Sequence, residues 1–197
     1  IFMGKTPISK IRVPNDWFTL KFTFGDNEFI ARSSVNALRG KRNYGFPEVS
    51  QFDSAKFNLV LGGKRSLQFP GLDHYSSIGI GPYLISKFEV TNKEYLDFIL
   101  DKGYENQEYW KFAIDEDSDF MNSTINSFTG KFGRKGPSNW SYGMYPEGQE
   151  NFPVTGISWY EAMAYANYRN LSLPNVYQWA SAATLSISSS FMYNSNF

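Results

Sequence analysis

Alternating hydrophobic and polar residues predict a β-hairpin near the start of the chain. In residues 17–24, WFTLKFTF, an apolar side chain occupies every second position, with Thr, Lys and Thr between them. This period of two is typical of a half-buried strand. Turn residues bound the strand at 14–16 (PND) and 25–27 (GDN), and residues 28–32 can form the returning strand. Residues 1–35 are therefore predicted to form a small antiparallel β-module.

The alternation is lost over residues 36–55. Gly40, Gly45 and Pro47 lie among charged residues there, and both residue types interrupt regular elements. We therefore predict a linker or a long loop over 36–55, followed by a larger region at 56–197.

The larger region contains signals for both strands and helices. Apolar runs at 57–63 and 82–90 predict two strands, the first ended by a Gly-Gly turn. Helix starts are predicted where Ser, Thr or Asn is followed three residues later by Glu or Gln, because the two side chains can form a capping box. Three segments of this kind are followed by apolar residues at helical spacing: 91–94 (TNKE), 158–161 (SWYE) and 175–178 (NVYQ). Gly103 is predicted to stop the first of these helices.

The segment 104–150 is rich in aromatic residues and lacks a regular period, which predicts either a structured or a partly mobile loop region. Its acidic run, Asp115, Glu116, Asp117 and Asp119, is interpreted as a solvated loop. A Ca²⁺ site is the alternative, but the run lacks the central Gly and distal Glu of an EF-hand loop.

Composition narrows the functional classes. The 197 residues include 42% hydrophobic and 18% aromatic side chains, enough for a folded core. Nineteen basic and 19 acidic residues cancel, and no basic stripe favours nucleic acid as a partner. No apolar run reaches the roughly 18 residues that indicate a membrane span.

The chain has no Cys and a single His, His74. Disulfides, thiolate nucleophiles and Cys-based metal sites therefore cannot form from its residues. One His cannot build a His-rich metal site alone, and His74 is interpreted as an incidental loop residue. A chain without Cys leaves the redox compartment undetermined.

Several segments occur in an order known from one enzyme family. They are 59–63 (LVLGG), 88–95 (FEVTNKEY), 152–162 (FPVTGISWYEA) and 171–183 (LSLPNVYQWASAA). Together they resemble the formylglycine-generating enzyme, or sulfatase-modifying factor, family over about residues 57 to 197. The segments 136–140 (GPSNW) and 145–149 (YPEGQ) look like the subgroup fused to bacterial regulatory or kinase-type chains.

The resemblance implies a loop-rich α+β domain with a C-type-lectin-like fold, of which this chain carries the N-terminal part. Members of the family include copper-dependent formylglycine generators, iron-dependent sulfoxide synthases and proteins without evident catalysis. The generators' active-site cysteines lie C-terminal to the position matching Phe197, so no catalytic residue is assigned in this chain. Copper or iron would need ligands from beyond Phe197. Departures from the family pattern at 170–172 and 175–178 put the generator activity in doubt.

One metal site is implied by the same resemblance. The family's first structural Ca²⁺ site begins near an Asn followed by an aromatic or aliphatic residue, and Asn196 and Phe197 match that pair. A simple turn at these two residues is the alternative.

Two functions remain open from the sequence. In the first, the complete protein is a metal-dependent oxidase of cysteine or another sulfur-containing substrate. In the second, the domain is a non-catalytic, lectin-like binding or scaffold module whose aromatic loops, mainly 104–150, recognise a protein, peptide or glycan. Four aromatic residues of the predicted helices could form a ligand platform, but they are interpreted as core. These are Trp159, Tyr160, Tyr165 and Trp179.

The N-terminal module, residues 1–35, resembles the PEGA-type β-modules of bacterial surface and signalling proteins. Together with the family resemblance, this favours an extracytoplasmic bacterial setting, periplasmic or at the cell surface.

Overall fold

The computed structural model describes residues 17–24, 27–34, 53, 55–60, 62–67, 71–72, 74–113 and 118–183. The chain divides into two compact units. The first combines the described residues up to Lys87 with those from Asn175 onward, and the second is Phe88–Pro174. Both belong to a mixed α/β chain with small antiparallel sheets.

Among the described residues, the strands all lie in the first unit and form three antiparallel pairs: β1 (Trp17–Phe24) with β2 (Asn27–Ser34), β3 (Phe57–Val60) with β6 (Tyr83–Ser86), and β4 (Gly63–Arg65) with β5 (Ile78–Ile80). The helices are α1 (Asn92–Leu100), α2 (Ser118–Ser127) and α3 (Trp159–Tyr168) in the second unit, and α4 (Val176–Ala182) in the first. A 3₁₀ helix covers Gln107–Ala113.

The hairpin predicted from the alternating pattern is confirmed. Trp17 faces Ser34 at its open end, and Phe24 faces Asn27 at the turn. The predicted strand at 57–63 is instead divided between β3 and β4. Gly62 separates them at a close backbone approach, where a Cβ atom would lie 2.4 Å from the Ile80 carbonyl oxygen.

Side-chain hydrogen bonds attach α4 to the strands of the first unit. The Tyr83 hydroxyl donates to the Gln178 carbonyl. The Arg65 side chain donates from Nε to the Ser181 hydroxyl over 2.8 Å. These contacts join residues about 100 positions apart in the chain, so α4 completes the unit whose strands precede it.

The three predicted capping boxes are confirmed at α1, α3 and α4. In α1, the Thr91 hydroxyl accepts from the Glu94 amide over 3.2 Å, and the Glu94 carboxylate accepts from the Thr91 amide over 3.0 Å. Each box satisfies two backbone donors that a helix start leaves without an intrahelical acceptor.

The start of α1 is also bound to a segment about 60 residues later. The Asn92 and Lys93 amides donate to the carbonyls of Phe152 and Glu150, each over 2.9 Å. The buried Asn92 side chain donates to the Gln149 carbonyl over 2.8 Å. This segment therefore supplies acceptors to the first turn of α1 that the helix itself does not provide.

An aromatic core lies in the second unit. Tyr95, Phe98 and Trp110 are fully buried, and Tyr165 of α3 is 6% exposed. The Tyr95 and Tyr165 rings stack with centroids 5.5 Å apart, while Phe98 meets Tyr165 edge-on at 5.8 Å. Trp110 donates its indole N–H to the Gly103 carbonyl over 2.9 Å, so its one polar atom is satisfied.

Two predictions need correction here. The helix α1 ends at Leu100, and the left-handed residue after it is Lys102, with φ of 60°, rather than Gly103. Gly103 serves packing, because a Cβ atom there would lie 2.0 Å from the Phe98 ring. The segment 104–150 is not all loop, since it contains the 3₁₀ helix and α2. Tertiary packing favours α2 despite its Ser- and Asn-rich sequence, and Ile125 contributes to the core.

Candidate functional site

A cleft in the second unit is the strongest candidate for a binding site. It has a volume of about 330 Å³ and is shallow and open to solvent. Its lining is mostly hydroxyl and small residues, with one carboxylate; we call it the Glu161 cleft. The lining residues are Ser127, Phe128, Thr129, Gly136, Ser138, Gly156, Ile157, Ser158 and Glu161.

Glu161 is held in the cleft by the first turn of α3. Its amide donates to the Ser158 hydroxyl over 3.2 Å, and the Ser158 amide donates to Glu161 Oε2 over 2.7 Å. Its other oxygen, Oε1, accepts from the Tyr104 hydroxyl over 2.6 Å. The carboxylate is 3% exposed, and the positive end of the α3 dipole favours its charge.

A second tyrosine extends this hydrogen-bonded chain. The Tyr95 and Tyr104 hydroxyls lie 3.0 Å apart. Burial raises the pKa of Tyr95 and of Tyr104 well above the ordinary value for tyrosine, so both phenols stay protonated near neutrality. Both oxygens of Glu161 already accept hydrogen bonds from the protein, which fixes the position of the carboxylate at the cleft.

The Lys135 ammonium lies near the Glu161 carboxylate. Burial lowers the pKa of Lys135, and the attraction of Glu161 partly opposes that shift. The Lys135 ammonium donates to the Ile125 carbonyl over 2.6 Å and to the Asn126 side chain over 3.1 Å. Lys135 therefore ties the segment after α2 back to the last turn of that helix.

Aromatic side chains form a rim beside the cleft. Phe128 in the lining stacks with Tyr160 at 6.4 Å, and Trp159 meets Tyr160 at 5.4 Å. Trp159 is 57% exposed and Tyr160 is 38% exposed. Polar hydroxyls beside exposed aromatic faces suit a ligand that has both polar groups and an apolar face.

The assignment of four aromatic residues to the core is therefore correct for Tyr165 alone. Trp159 and Tyr160 occupy the first two positions of α3, and the helical period directs Glu161, Ala164 and Tyr165 inward instead. Trp179 of α4 is 49% exposed as well.

A second cleft of about 290 Å³ is a weaker candidate. It is lined by Asn92, Asn139 and Gln149, among others. Its amide side chains are largely committed to the fold, since Asn92 donates to the Gln149 carbonyl and Asn139 donates to the Thr155 hydroxyl over 2.8 Å.

Two turns near the Glu161 cleft present an exposed pair of aromatic rings. Phe132 and Tyr142 are 69% and 65% exposed, and their rings stack 4.3 Å apart within 7° of parallel. Both residues have left-handed backbones, with φ of 68° and 56°. Such a backbone costs a side chain about 1–2 kcal/mol per residue, whereas an aromatic pair contributes about 0.5–1.5 kcal/mol. Stability alone does not account for aromatic residues at these positions.

The sequence matches a known protein family. The model of the sulfatase-modifying factor enzyme 1-like domain matches residues 45–196. The chain belongs to this family. The match begins within the predicted linker of residues 36–55 and includes the segments that carried the resemblance.

Two curated relatives of this sulfatase-modifying factor domain match at modest identity. An uncharacterized protein of Bacillus subtilis (strain 168), YfmG, is 29% identical over 109 residues, which are 54% of this chain and 18% of the relative. A formylglycine-generating enzyme of Thermomonospora curvata is 26% identical over 139 residues, which are 62% of this chain and 45% of the relative. The chain therefore spans less than half the length of either relative.

The described residues of the domain do not fit a copper or iron centre. Within the described ranges, no three His, Cys, Asp or Glu side chains come together as a metal-binding group. His74 is exposed, and its ring contacts that of the adjacent Tyr75 at 4.3 Å.

The possible Ca²⁺ ligands at Asn196 and Phe197 stay a prediction. Asn196 and Phe197, the predicted Ca²⁺ pair, lie outside the described residues, as do Asp115, Glu116 and Asp117. No helix in the described part of the chain combines the length and hydrophobicity needed to cross a bilayer.

Proposed function

We propose that this chain is the ligand-binding and scaffold part of a sulfatase-modifying factor domain, and that the Glu161 cleft binds a peptide or a glycan. The observation that carries this proposal is the combination of a hydroxyl-lined cleft with the exposed aromatic rim of Trp159 and Tyr160. In this proposal the domain has a C-type-lectin-like fold, and its activity in this part of the chain is recognition.

The chemistry of the cleft supports recognition over catalysis by these residues. Thr129 and Ser138 offer hydroxyls that can both donate and accept hydrogen bonds. The Ser127 hydroxyl donates to the Thr124 carbonyl over 2.6 Å and can still accept a hydrogen bond. Glu161 contributes a fixed negative charge whose oxygens are occupied by Tyr104 and the Ser158 amide. A ligand with hydroxyl or amide groups and one apolar face matches this lining.

The second candidate is the oxidase reading, in which the complete protein oxidises a cysteine or another sulfur-containing substrate. Similarity to a formylglycine-generating enzyme over 139 residues favours it. Copper or iron would then be held by residues outside the described ranges. The described part would bind and orient the substrate in the same cleft, so both candidates assign it a binding role.

The same proposal includes the domain division, the cellular location and a structural metal ion. The division into a PEGA-like β-module at 1–35, a linker at 36–55 and the domain at 56–197 fits an extracytoplasmic bacterial protein associated with signalling. A structural Ca²⁺ ion at Asn196 and Phe197 would stabilise the domain without taking part in chemistry.

The binding proposal is tested with the full natural protein on peptide and glycan arrays, followed by titration of each hit. Trp159→Ala and Tyr160→Ala should each weaken binding about tenfold or more, because exposed aromatic anchors dominate such contacts. Trp179→Ala removes a similarly exposed indole from the other unit and is the matched control. Equal affinity in all three variants would contradict the assignment of the cleft.

The oxidase candidate is tested on the same preparation. Metal content is measured, and a cysteine-containing peptide is incubated with copper or iron and oxygen, then weighed by mass spectrometry. Conversion of the cysteine supports the oxidase. An unchanged peptide mass, with binding retained on the arrays, leaves the recognition proposal as the better account.

A further inference from the structure

A second recognition surface lies on the two turns that carry Phe132 and Tyr142. Gly133 and Gly143 follow them, and both glycines also have left-handed backbones, with φ of 75° and 78°. Each turn therefore has two successive left-handed residues, the pattern of the tight turns that usually carry Asn-Gly. An aromatic ring takes the place of Asn in both, and the two rings stack against each other.

Backbone hydrogen bonds hold these turns in place. The Lys131 amide donates to the Trp140 carbonyl over 2.8 Å, which joins the first turn to the segment before the second. Within the second turn, Ser141 and Met144 exchange amide-to-carbonyl bonds of 3.1 and 3.0 Å. Trp140 itself is 1% exposed and anchors the segment in the core. The ring pair is therefore pre-organised, which lowers the entropic cost of binding a partner.

The segment that carries the ring pair is basic in sequence. Residues 122–146 contain Lys131, Arg134 and Lys135 but no Asp or Glu, although the whole chain is neutral. Lys131 and Arg134 are exposed, and neither makes a salt bridge within the described part of the chain. The Arg134 stem packs over the second turn, where a Cβ atom on Gly143 would lie 3.4 Å from Arg134 Cδ.

We propose that Phe132, Tyr142, Lys131 and Arg134 form a docking site for an acidic segment of a partner protein that presents an aromatic or large aliphatic side chain. The partner's apolar side chain packs against the ring pair, and its carboxylates face the two cations. This docking site is additional to the ligand-binding site proposed at the Glu161 cleft.

A peptide segment fits this surface better than a glycan or a nucleic acid. Each ring covers one face of the other, so the free faces point in opposite directions and offer no continuous platform for successive sugars or bases. Two exposed cations would neutralise few phosphates, and nucleic-acid binding without sequence readout depends on many such contacts. One apolar side chain flanked by carboxylates matches both the single ring face and the charges.

The test uses the full natural protein and a library of dye-labelled acidic nonapeptides with Trp, Tyr, Phe, Leu or Ala at the centre. Peptides with a large central side chain should bind at least about tenfold more tightly than the Ala peptide. Affinity should fall as salt is raised, because exposed charges are screened. Single-stranded DNA and a sulfated glycan are the competing probes.

Two sets of variants locate the contact. Phe132→Asn with Tyr142→Asn keeps the preference for a left-handed backbone and removes the rings, so it should fold and lose binding about tenfold. Lys131→Glu with Arg134→Glu should lower the affinity for acidic peptides and raise it for basic ones.

The proposal is overturned if no acidic peptide with a large central side chain binds better than the Ala peptide. It is also overturned if the ring variants bind as the parent does, or if the DNA or the glycan binds at these residues while the peptides do not.

Discussion

Replacing Tyr104 by Phe tests the hydrogen-bonded chain beside the Glu161 cleft. The change removes one hydroxyl that donates to Glu161 Oε1 over 2.6 Å and contacts the Tyr95 hydroxyl at 3.0 Å. Because Glu161 is 3% exposed, water cannot freely replace the lost donor. Hydrogen bonds to charged groups contribute about 1.5–3 kcal/mol, and a buried polar group left without a partner costs about 1–3 kcal/mol.

The free energy of unfolding should therefore fall by about 2–4 kcal/mol, a large share of the roughly 5–15 kcal/mol typical of a domain. With a urea dependence of about 2 kcal/mol per molar, the unfolding midpoint should fall by about 1–2 M. Equilibrium unfolding in urea, followed by far-UV circular dichroism, measures this shift. An unchanged slope would show that the denatured state is unaffected.

Tyr95→Phe is the matched control, since it removes the neutral end of the same chain. It should cost only about 1 kcal/mol. Glu161→Gln in the Tyr104→Phe background should then cost less than in the parent, with a coupling energy of about 0.5–3 kcal/mol. If Tyr104→Phe were no more destabilising than Tyr95→Phe, the charged hydrogen bond would not be the stabilising contact we assign.

The remaining predictions concern pH, packing and capping. Because folding raises the pKa of Tyr95 and Tyr104 above 10, the unfolded chain loses these protons first. The free energy of unfolding should keep the full contribution of these tyrosines below pH 10 and fall above it by up to about 1.4 kcal/mol per pH unit for each tyrosine. Urea unfolding at a series of pH values measures this fall, and a flat profile would contradict the prediction. Gly103→Ala should lower the free energy of unfolding by about 1–3 kcal/mol, because the added methyl group overpacks the core. Gly81→Ala should leave it unchanged, because the space around Gly81 is open. Equal thermal midpoints for the two variants would refute this difference. Ser158→Ala removes the N-cap of α3 and should lower the free energy of unfolding by about 0.5–2 kcal/mol, measured by thermal unfolding. An unchanged thermal midpoint would argue against a stabilising cap.

Local signals in the sequence predicted the elements that depend on neighbours within a few residues. The hairpin of β1 and β2 follows from a period-two pattern with bounding turns, and the starts of α1, α3 and α4 follow from their capping boxes. Each of these signals acts over two to four residues, so the sequence contains all of it.

Features that depend on distant residues were not predicted. α2 has a Ser- and Asn-rich sequence and gains support from the burial of Ile125. The bond between Tyr104 and Glu161 joins residues 57 positions apart, and no periodic pattern marks it. The stacked rings had a signal that could have been noticed, namely the dipeptides Phe132-Gly133 and Tyr142-Gly143, since Gly at the second position is typical of left-handed turns.

The exposed position of Trp159 and Tyr160 was also missed, for a geometric reason. A capping box fixes where a helix begins but not which side faces the core. The core side of α3 is set by Tyr165 packing on Tyr95 and Phe98 of α1. Residues in the first turn that lie off this side remain exposed, whatever their hydrophobicity.

The bonds from the start of α1 to residues 149–152 have a consequence during protein synthesis. The amides of Asn92 and Lys93 find their acceptors in a segment that the ribosome adds about 60 residues later. At about 5–20 residues per second, this delay is roughly 3–12 s. Over that interval the nascent helix has its own capping box but not its distant acceptors. Mutations that weaken the box should therefore impair co-translational folding more than they impair refolding of the complete chain.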